Sequence, residues 1–286
     1  MSLESEDETE RARRHRQRRL FDAVARLYAA TRPGYPPELA QFVAATAGAR
    51  AGAPVLEVGC GTGQLTSALL PFGFALTAID IGTSMIEVAR ERAAAGVTFR
   101  VASFEDLDAA PASFDLVISG AAFHWIDPGV RFRQAARLLR PGGWLALAGY
   151  EERYDEPVGS MLDAMWLARS ADDGVWVTRR ADARAIGDSK LFGPSVHRVF
   201  RQRLVRSAAD VIGVENTRAT SLSWPGDVRE AFFAELRARL GSRAEVSVTL
   251  EASVTMAPVA SPDRPACGDG APGDAAADRD GGPFRA

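Results

Sequence analysis

The sequence predicts an α/β protein in which a mostly parallel sheet carries helices on both faces, and three observations predict it. The apolar run containing Val55, Leu56 and Val58 stops abruptly at Gly59, Gly61 and Gly63, ahead of an amphipathic segment from Leu65 to Leu70. That is the pattern of a buried strand, a tight loop and a helix. A second strand, Ala75 to Ile79, ends on an acid, Asp80. Short apolar strands then alternate with helical stretches as far as Tyr150, as expected of strands joined in parallel through helices.

In order, the chain begins with the acids Glu4, Glu6, Asp7, Glu8 and Glu10, and continues into Arg11, Arg13, Arg14, Arg16, Arg18 and Arg19. Residues 1–19 read as a solvated, frayed helix start rather than an interaction arm. Leu20, Phe21, Val24, Leu27 and Tyr28 then fall at helical spacing, Arg32 to Pro37 breaks the pattern, and a second helix runs from Glu38 towards Ala47. After the glycine loop and the strand ending at Asp80, Met85, Ile86, Val88 and Ala89 mark a helix and Val97 to Val101 a third strand. A central strand from Ser113 to Gly120, a helix from Val130 to Leu139 and a fifth strand from Trp144 to Ala148 complete this half. Beyond Tyr150 the periodicity weakens. A helix near Met161 to Ala168, a strand from Val196 to Val205, helices over 208–214 and 228–240 and an alternating strand over 244–256 are expected. From Ala257 the chain turns to Ala, Pro, Gly and Asp, too poor in apolar groups to offset its ordering entropy, so 257–286 reads as a disordered tail.

Composition narrows the function classes. With 286 residues, 47% of them hydrophobic, the chain is long enough to bury a substantial core. A formal charge of -3 provides no basic field for nucleic acid or an anionic membrane. No run approaches the roughly 20 apolar residues of a membrane span. Two cysteines, Cys60 and Cys267, make a structural disulfide unexpected, and His15, His124 and His197 form no metal-ligand cluster in sequence. A reducing cytoplasm is the expected compartment.

The glycine loop admits several ligands until its spacing is considered. In the dinucleotide fingerprint the third glycine follows three residues after the second. Here Gln64 holds that place and the glycine comes one residue early, at Gly63. No Gly-Lys-Ser/Thr follows, which excludes a P-loop. Asp80, at the end of the second strand, is placed to accept hydrogen bonds from ribose hydroxyls.

The string Glu57-x-Gly59-x-Gly61-x-Gly63 resembles motif I of the class I S-adenosylmethionine (SAM) dependent methyltransferases. Phe21-Asp22 through Tyr28 to Arg32-Pro33-Gly34-Tyr35-Pro36 is similar to the segment that folds over the SAM pocket in small-molecule members, and Ala102 to Leu107 to their adenine turn. Phe114-Asp115-Leu116-Val117, Phe123-His124-Trp125-Ile126-Asp127 and Leu138-Leu139-Arg140-Pro141-Gly142-Gly143 resemble the subgroup that includes trans-aconitate methyltransferase and natural-product O-methyltransferases. The resemblance implies a Rossmann-like, seven-stranded, mostly parallel sheet with its last strand antiparallel. It implies one methyltransferase domain over 20–256, with 151–195 as a substrate-covering insertion.

It further implies SAM as cofactor, held by Glu57, Gly59, Gly61, Gly63, Asp80, Ser103, Phe104, Glu105 and Gly120. Tyr28, Tyr35, Phe123, Trp125 and Tyr150 would wall the pocket, and a ring face attracts a sulfonium by roughly 0.5 to 2 kcal/mol. Taken alone, Phe104 reads more often as core, and Tyr28 and Tyr35 read equally as core. The expected reaction is methyl transfer to a hydroxyl or carboxylate oxygen of a small metabolite, with no metal, nucleic acid or membrane partner. His124 is the candidate general base, set opposite Phe123 and Trp125 if the strand's alternation persists past Gly120; capping or backbone bonding is its other reading. A SAM enzyme of other chemistry, a non-catalytic SAM-binding partner protein and an NAD-dependent oxidoreductase remain as alternatives, the last disfavoured by Gln64. The acceptor and the oligomeric state are not legible.

Overall fold

The computed structural model describes residues 16, 19–93, 95–169, 184–241, 243 and 245–260. Most of the charged arm, the centre of the 151–195 insertion, Cys267 and the tail beyond 260 lie outside the described residues.

Helices α1 (Ala25–Thr31) and α2 (Pro37–Ala47) precede strand β1 (Pro54–Val58). The chain then alternates α3 (Gln64–Leu69), β2 (Ala75–Asp80), α4 (Thr83–Arg92), β3 (Val97–Val101), β4 (Phe114–Gly120), α5 (Arg131–Leu138) and β5 (Leu139–Tyr154). Helix α6 (Val158–Leu167), β6 (Val196–Arg206), α7 (Ala208–Asn216), α8 (Ala219–Ser223), α9 (Gly226–Leu240) and β7 (Val246–Pro258) follow. The strands form one sheet in the order β3-β2-β1-β4-β5-β7-β6. β7 lies antiparallel to both β5 and β6, and the pairings among β1 to β5 are parallel. The seven-stranded sheet with an antiparallel last strand is the one the sequence resemblance implies.

Both faces of the sheet are covered, which explains the near-continuous apolar runs of its central strands. Successive side chains leave on opposite sides. Val55, Leu116 and Ile118 pack against Leu39, Val43, Leu65 and Leu69 of α2 and α3, while Leu56 and Val117 meet Phe132, Ala135 and Leu138 of α5. Each such fully buried side chain contributes about 1.5 to 3 kcal/mol by removal from water.

The second half departs from the sequence reading in three places. β5 extends to both sides of Trp144 to Ala148, because Leu139 pairs with Phe114 of β4 and β7 pairs with it from Trp144↔Pro258 to Tyr154↔Val248. The expected 151–195 insertion therefore opens with four residues of β5, Glu151 to Tyr154. Its helix α6 joins α7 and α9 in a separate apolar cluster of Val158, Leu162, Trp166, Val211, Phe232 and Leu236. The tail begins later than Ala257: Ala257 is fully buried opposite Leu145, and Val259 bridges to Phe192. Small side chains facing a strand carry no alternation signal, so the sequence marks this end poorly.

Two buried polar contacts tie the helical layer to the N-terminal segment. Arg206 pairs with Glu152 and donates to the Thr31 carbonyl at 2.9 Å. Arg32 donates to the Thr217 hydroxyl at 2.9 Å and to the Thr217 carbonyl at 2.7 Å.

Candidate functional site

The carboxyl ends of β1, β2, β3 and β4 open onto one cavity, bordered by Val58 and Gly59, Asp80 and Ile81, Ala102 and Phe104, and Gly120 to Ala122. Clefts at that edge of a parallel sheet are where open α/β folds take ligands. Including its mouth and the open solvent within it, the cavity spans about 730 Å³. Phe21 and Tyr28 from the N-terminal segment and Trp125 from the loop after β4 form further walls. The Phe21 ring meets Tyr28 and Trp125 edge-on at 6.0 and 6.1 Å.

Local sequence explains how the floor comes this close to a ligand. Gly59 and Gly61 hold φ of 67° and 54°, the left-handed region that L side chains rarely enter. A Cβ on Gly59 would lie 2.3 Å from that of Ala122, whereas one on Gly61 meets nothing within 4 Å. Asp80 fixes the loop: one carboxylate oxygen accepts the Gly61 N–H at 2.9 Å and the other the Gly82 N–H at 2.8 Å.

A smaller, deeper cavity of about 320 Å³ adjoins the first across Gly59, Gly61, Gly120 and Tyr28, and adds Tyr35, Glu57, Gln64, Leu65 and Tyr150. Glu57 lies in its wall at 1% exposure. Burial pushes its carboxyl up to about 8, although the Thr66 hydroxyl donates to it at 2.6 Å. Burial likewise raises the Tyr28 phenol, with the neighbouring Tyr150 adding to the effect. Tyr150 hydrogen-bonds with both Tyr28 and Arg32. Burial pushes the Cys60 thiol up as well, leaving it a poor nucleophile.

Of the residues anticipated for the cofactor, Gly59, Gly61, Asp80, Phe104, Glu105 and Gly120 border the larger cavity and Glu57 the smaller. Gly63 and Ser103 border neither. Gly63 opens α3, and Ser103 donates to Glu105 at 2.6 Å. Phe104 is at once core and wall, at 3% exposure. Among the anticipated wall residues, Tyr28, Tyr35, Trp125 and Tyr150 border a cavity.

Phe123 does not. The alternation ends at Gly120, Ala121 takes φ 55°, and Phe123 to Trp125 form a single 3-10 turn. That turn sends Phe123 into the core against Phe104 and Phe132, and Trp125 into the cavity. The two aromatics therefore do not share one side. His124 borders neither cavity and lies beside the Trp125 ring at 4.8 Å between centroids.

The sequence reading missed Phe21, Ile81 and Met85 as walls, together with the Asp22–Gly82 contact. The Asp22 carboxylate accepts the Met85 N–H at 3.1 Å, and a Cβ on Gly82 would lie 2.7 Å from it. Phe21-Asp22 stood inside the string that carried the resemblance, but no local pattern separated these two residues from an ordinary helix face. Among the described residues no group of three or more His, Cys, Asp or Glu could hold a metal ion, and no helix is long and apolar enough to cross a membrane.

Residues 56–147 match a family described as a methyltransferase domain. A solved structure from Anaeromyxobacter dehalogenans, named as a candidate Type II methyltransferase, superposes with a TM-score of 0.59 at 26% identity, over 79% of this chain and 97% of that one. Residues 56–147 are therefore identified as a methyltransferase domain, on the fold of the class I SAM-dependent methyltransferases. The chain is 35% identical over 127 residues to an uncharacterized methyltransferase of Mycobacterium tuberculosis, covering 44% of this chain and 50% of the relative. It is 43% identical over 129 residues to a ubiquinone biosynthesis O-methyltransferase of Xanthomonas euvesicatoria pv. vesicatoria, covering 43% of this chain and 54% of the relative. The chain thus spans about half the length of the curated relatives it matches. In this chain the matched region runs from β1 into β5 and contains the glycine loop, Asp80, Glu105 and Gly120.

Proposed function

We propose that the protein transfers a methyl group from SAM to an oxygen, hydroxyl or carboxylate, of a small-molecule metabolite. One observation carries the reading: Asp80, the glycine loop and the Phe104-Glu105 turn converge on one cavity at the carboxyl ends of four strands, roofed by aromatic rings. These groups suit SAM. Asp80 would take the ribose hydroxyls. Phe104 would flank the adenine, and Glu105, held between the Ser103 hydroxyl and the Asp127 N–H, would meet its exocyclic amine. Phe21, Tyr28 and Trp125 enclose the sulfonium end, where ring faces favour a cation. The oxygen acceptor is supported by the ubiquinone biosynthesis O-methyltransferase relative.

SAM supplies an electrophilic methyl group, so the protein need form no covalent intermediate. The chain's own residues orient the two partners and exclude water, and such positioning accounts for roughly 7 to 11 kcal/mol of a barrier. The walls of the deeper cavity are phenols, the Gln64 amide and the Glu57 carboxyl, which burial raises to about 8. The cytoplasm remains the compartment we propose.

The test is a SAM-consumption screen with the full chain against hydroxylated and carboxylated metabolites, with the product weighed by mass spectrometry. A gain of one methyl on oxygen, with S-adenosylhomocysteine released, is the expected result. SAM binding without turnover across the panel would favour a non-catalytic SAM-binding role. No SAM binding at all would defeat the reading.

A further inference from the structure

We infer that Thr217, just past the end of α7, is a positioning residue for the aromatic wall of the larger cavity and acts on it through Arg32. The inference rests on the SAM-binding reading above and adds a residue from the second half of the chain that shapes the site.

Thr217 is fully buried and borders neither cavity. Its hydroxyl donates to the Val214 carbonyl at 2.9 Å and accepts the Arg32 Nε–H at 2.9 Å, while its own carbonyl accepts from a terminal nitrogen of the same guanidinium at 2.7 Å. Two oxygens of one residue thus fix both the place and the plane of the Arg32 fork. That guanidinium lies over the Tyr28 ring at 5.2 Å and hydrogen-bonds with Tyr150, whose phenol bonds with Tyr28 as well. Tyr28 borders both cavities and Tyr150 the deeper one. A wall ring keeps its geometry only when the groups behind it are locked, and Arg32, held by Thr217, is the group behind Tyr28.

Helix α7 is itself held where Thr217 can do this. Gly213 lies inside it, although glycine is a poor helix former, and a Cβ there would lie 2.3 Å from the Thr31 methyl group. The helix therefore crosses the N-terminal segment in direct contact with the residue before Arg32. Near its other end the fully buried Glu215 carboxylate accepts the Trp166 indole N–H at 2.7 Å and the Arg218 guanidinium at 2.6 Å, which ties α7 to α6. From Trp166 through Glu215, Thr217 and Arg32 to Tyr28, one line of fixed contacts joins the helical layer to the cavity wall.

Calorimetric titration of the full chain with S-adenosylhomocysteine, paired with an unliganded thermal melt of each variant, tests this. Thr217→Val keeps the shape and removes the hydroxyl that holds Arg32, and it should bind S-adenosylhomocysteine about tenfold more weakly. Thr217→Ser, which keeps the hydroxyl, should bind as the wild type does. Thr217→Cys, a weaker acceptor of similar size, should lose affinity by a smaller factor and serves in place of Thr217→Val if that variant does not fold. In an Arg32→Met background, Thr217→Val should have no further effect on affinity. Leu240→Ala opens a cavity in the helical cluster and should lower the melt at least as far while leaving the affinity unchanged. The inference is overturned if the Val and Cys variants bind as the wild type does, if Thr217→Ser loses as much as Thr217→Val, or if Leu240→Ala weakens binding as much as either. It is overturned too if Arg32→Met weakens binding while the Thr217 variants do not, which would give the guanidinium a direct contact with the ligand. A wild-type protein that binds no S-adenosylhomocysteine defeats the SAM reading itself and this inference with it.

Discussion

Asp80 and Gly61 are joined by a 2.9 Å hydrogen bond from the glycine N–H to a carboxylate oxygen, so the acid that borders the larger cavity also holds the glycine loop in shape. Asp80→Asn keeps the size and replaces one acceptor with a donor, which opposes either the Gly61 or the Gly82 N–H. Hydrogen bonds to a charged group contribute about 1.5 to 3 kcal/mol each. SAM affinity is expected to fall at least tenfold in a variant whose circular dichroism is unchanged. Calorimetry showing wild-type affinity would remove Asp80 from the site.

Gly59→Ala should be costly although it adds one methyl group. The new Cβ lies 2.3 Å from the Ala122 Cβ, on backbone whose φ of 67° disfavours any side chain. Overpacking of this kind costs about 1 to 3 kcal/mol. Gly61→Ala meets no atom within 4 Å and should lose SAM affinity rather than packing. Thermal melts with and without SAM separate the two, and equal melts for both variants would contradict this difference.

Glu57 gives the stability a pH dependence of known sign. Its carboxyl is raised from 4.5 to about 8 by burial, so between those values the folded protein binds more protons than the unfolded chain. Stability contributed by this group is complete below about pH 4.5 and is lost as pH rises towards 8, with a slope of at most about 1.4 kcal/mol per pH unit. Glu57→Gln should flatten that part of the profile in urea titrations across the range. An unchanged slope in the variant would assign the dependence to other groups.

The pair Glu152 and Arg206 joins strand β5 to the end of β6 with side chains only 2% and 10% exposed. Glu152→Ala leaves the buried guanidinium uncompensated and should cost about 3 to 5 kcal/mol. Replacing both together, Glu152→Leu with Arg206→Met, should recover most of the loss. Denaturant midpoints for the four members of the cycle measure this, and additive losses would show that the two charges do not act as a pair.

A general base contributes roughly 10²- to 10⁴-fold to turnover. Because His124 borders neither cavity, His124→Ala is expected to lose far less than that and to keep its pH-rate profile. A variant that binds SAM normally and loses the acidic limb of the profile would restore the imidazole as the base.

What the sequence determined by itself is whatever rests on local periodicity and backbone permission. The spans of β1 to β4, the helices between them and the turn at Gly59 to Gly63 were legible because neighbouring residues share a face and because glycine alone enters the left-handed region freely. Asp80 was legible for the same reason, as the last residue of a strand whose end faces the ligand. The tertiary structure alone decided which side chains meet across long separations. Arg206 finds Glu152 54 residues away, and Asp22 reaches the Met85 N–H from 63 residues away. It also decided the fate of Phe123 and Trp125, because one left-handed residue, Ala121, replaces the strand's two-residue period with a tight turn. Gln64 shows the boundary most clearly. In sequence it only argues against a dinucleotide, and the Thr62 hydroxyl together with the cavity wall makes it a fixed donor, because hydrogen-bond partners are set by packing rather than by position along the chain.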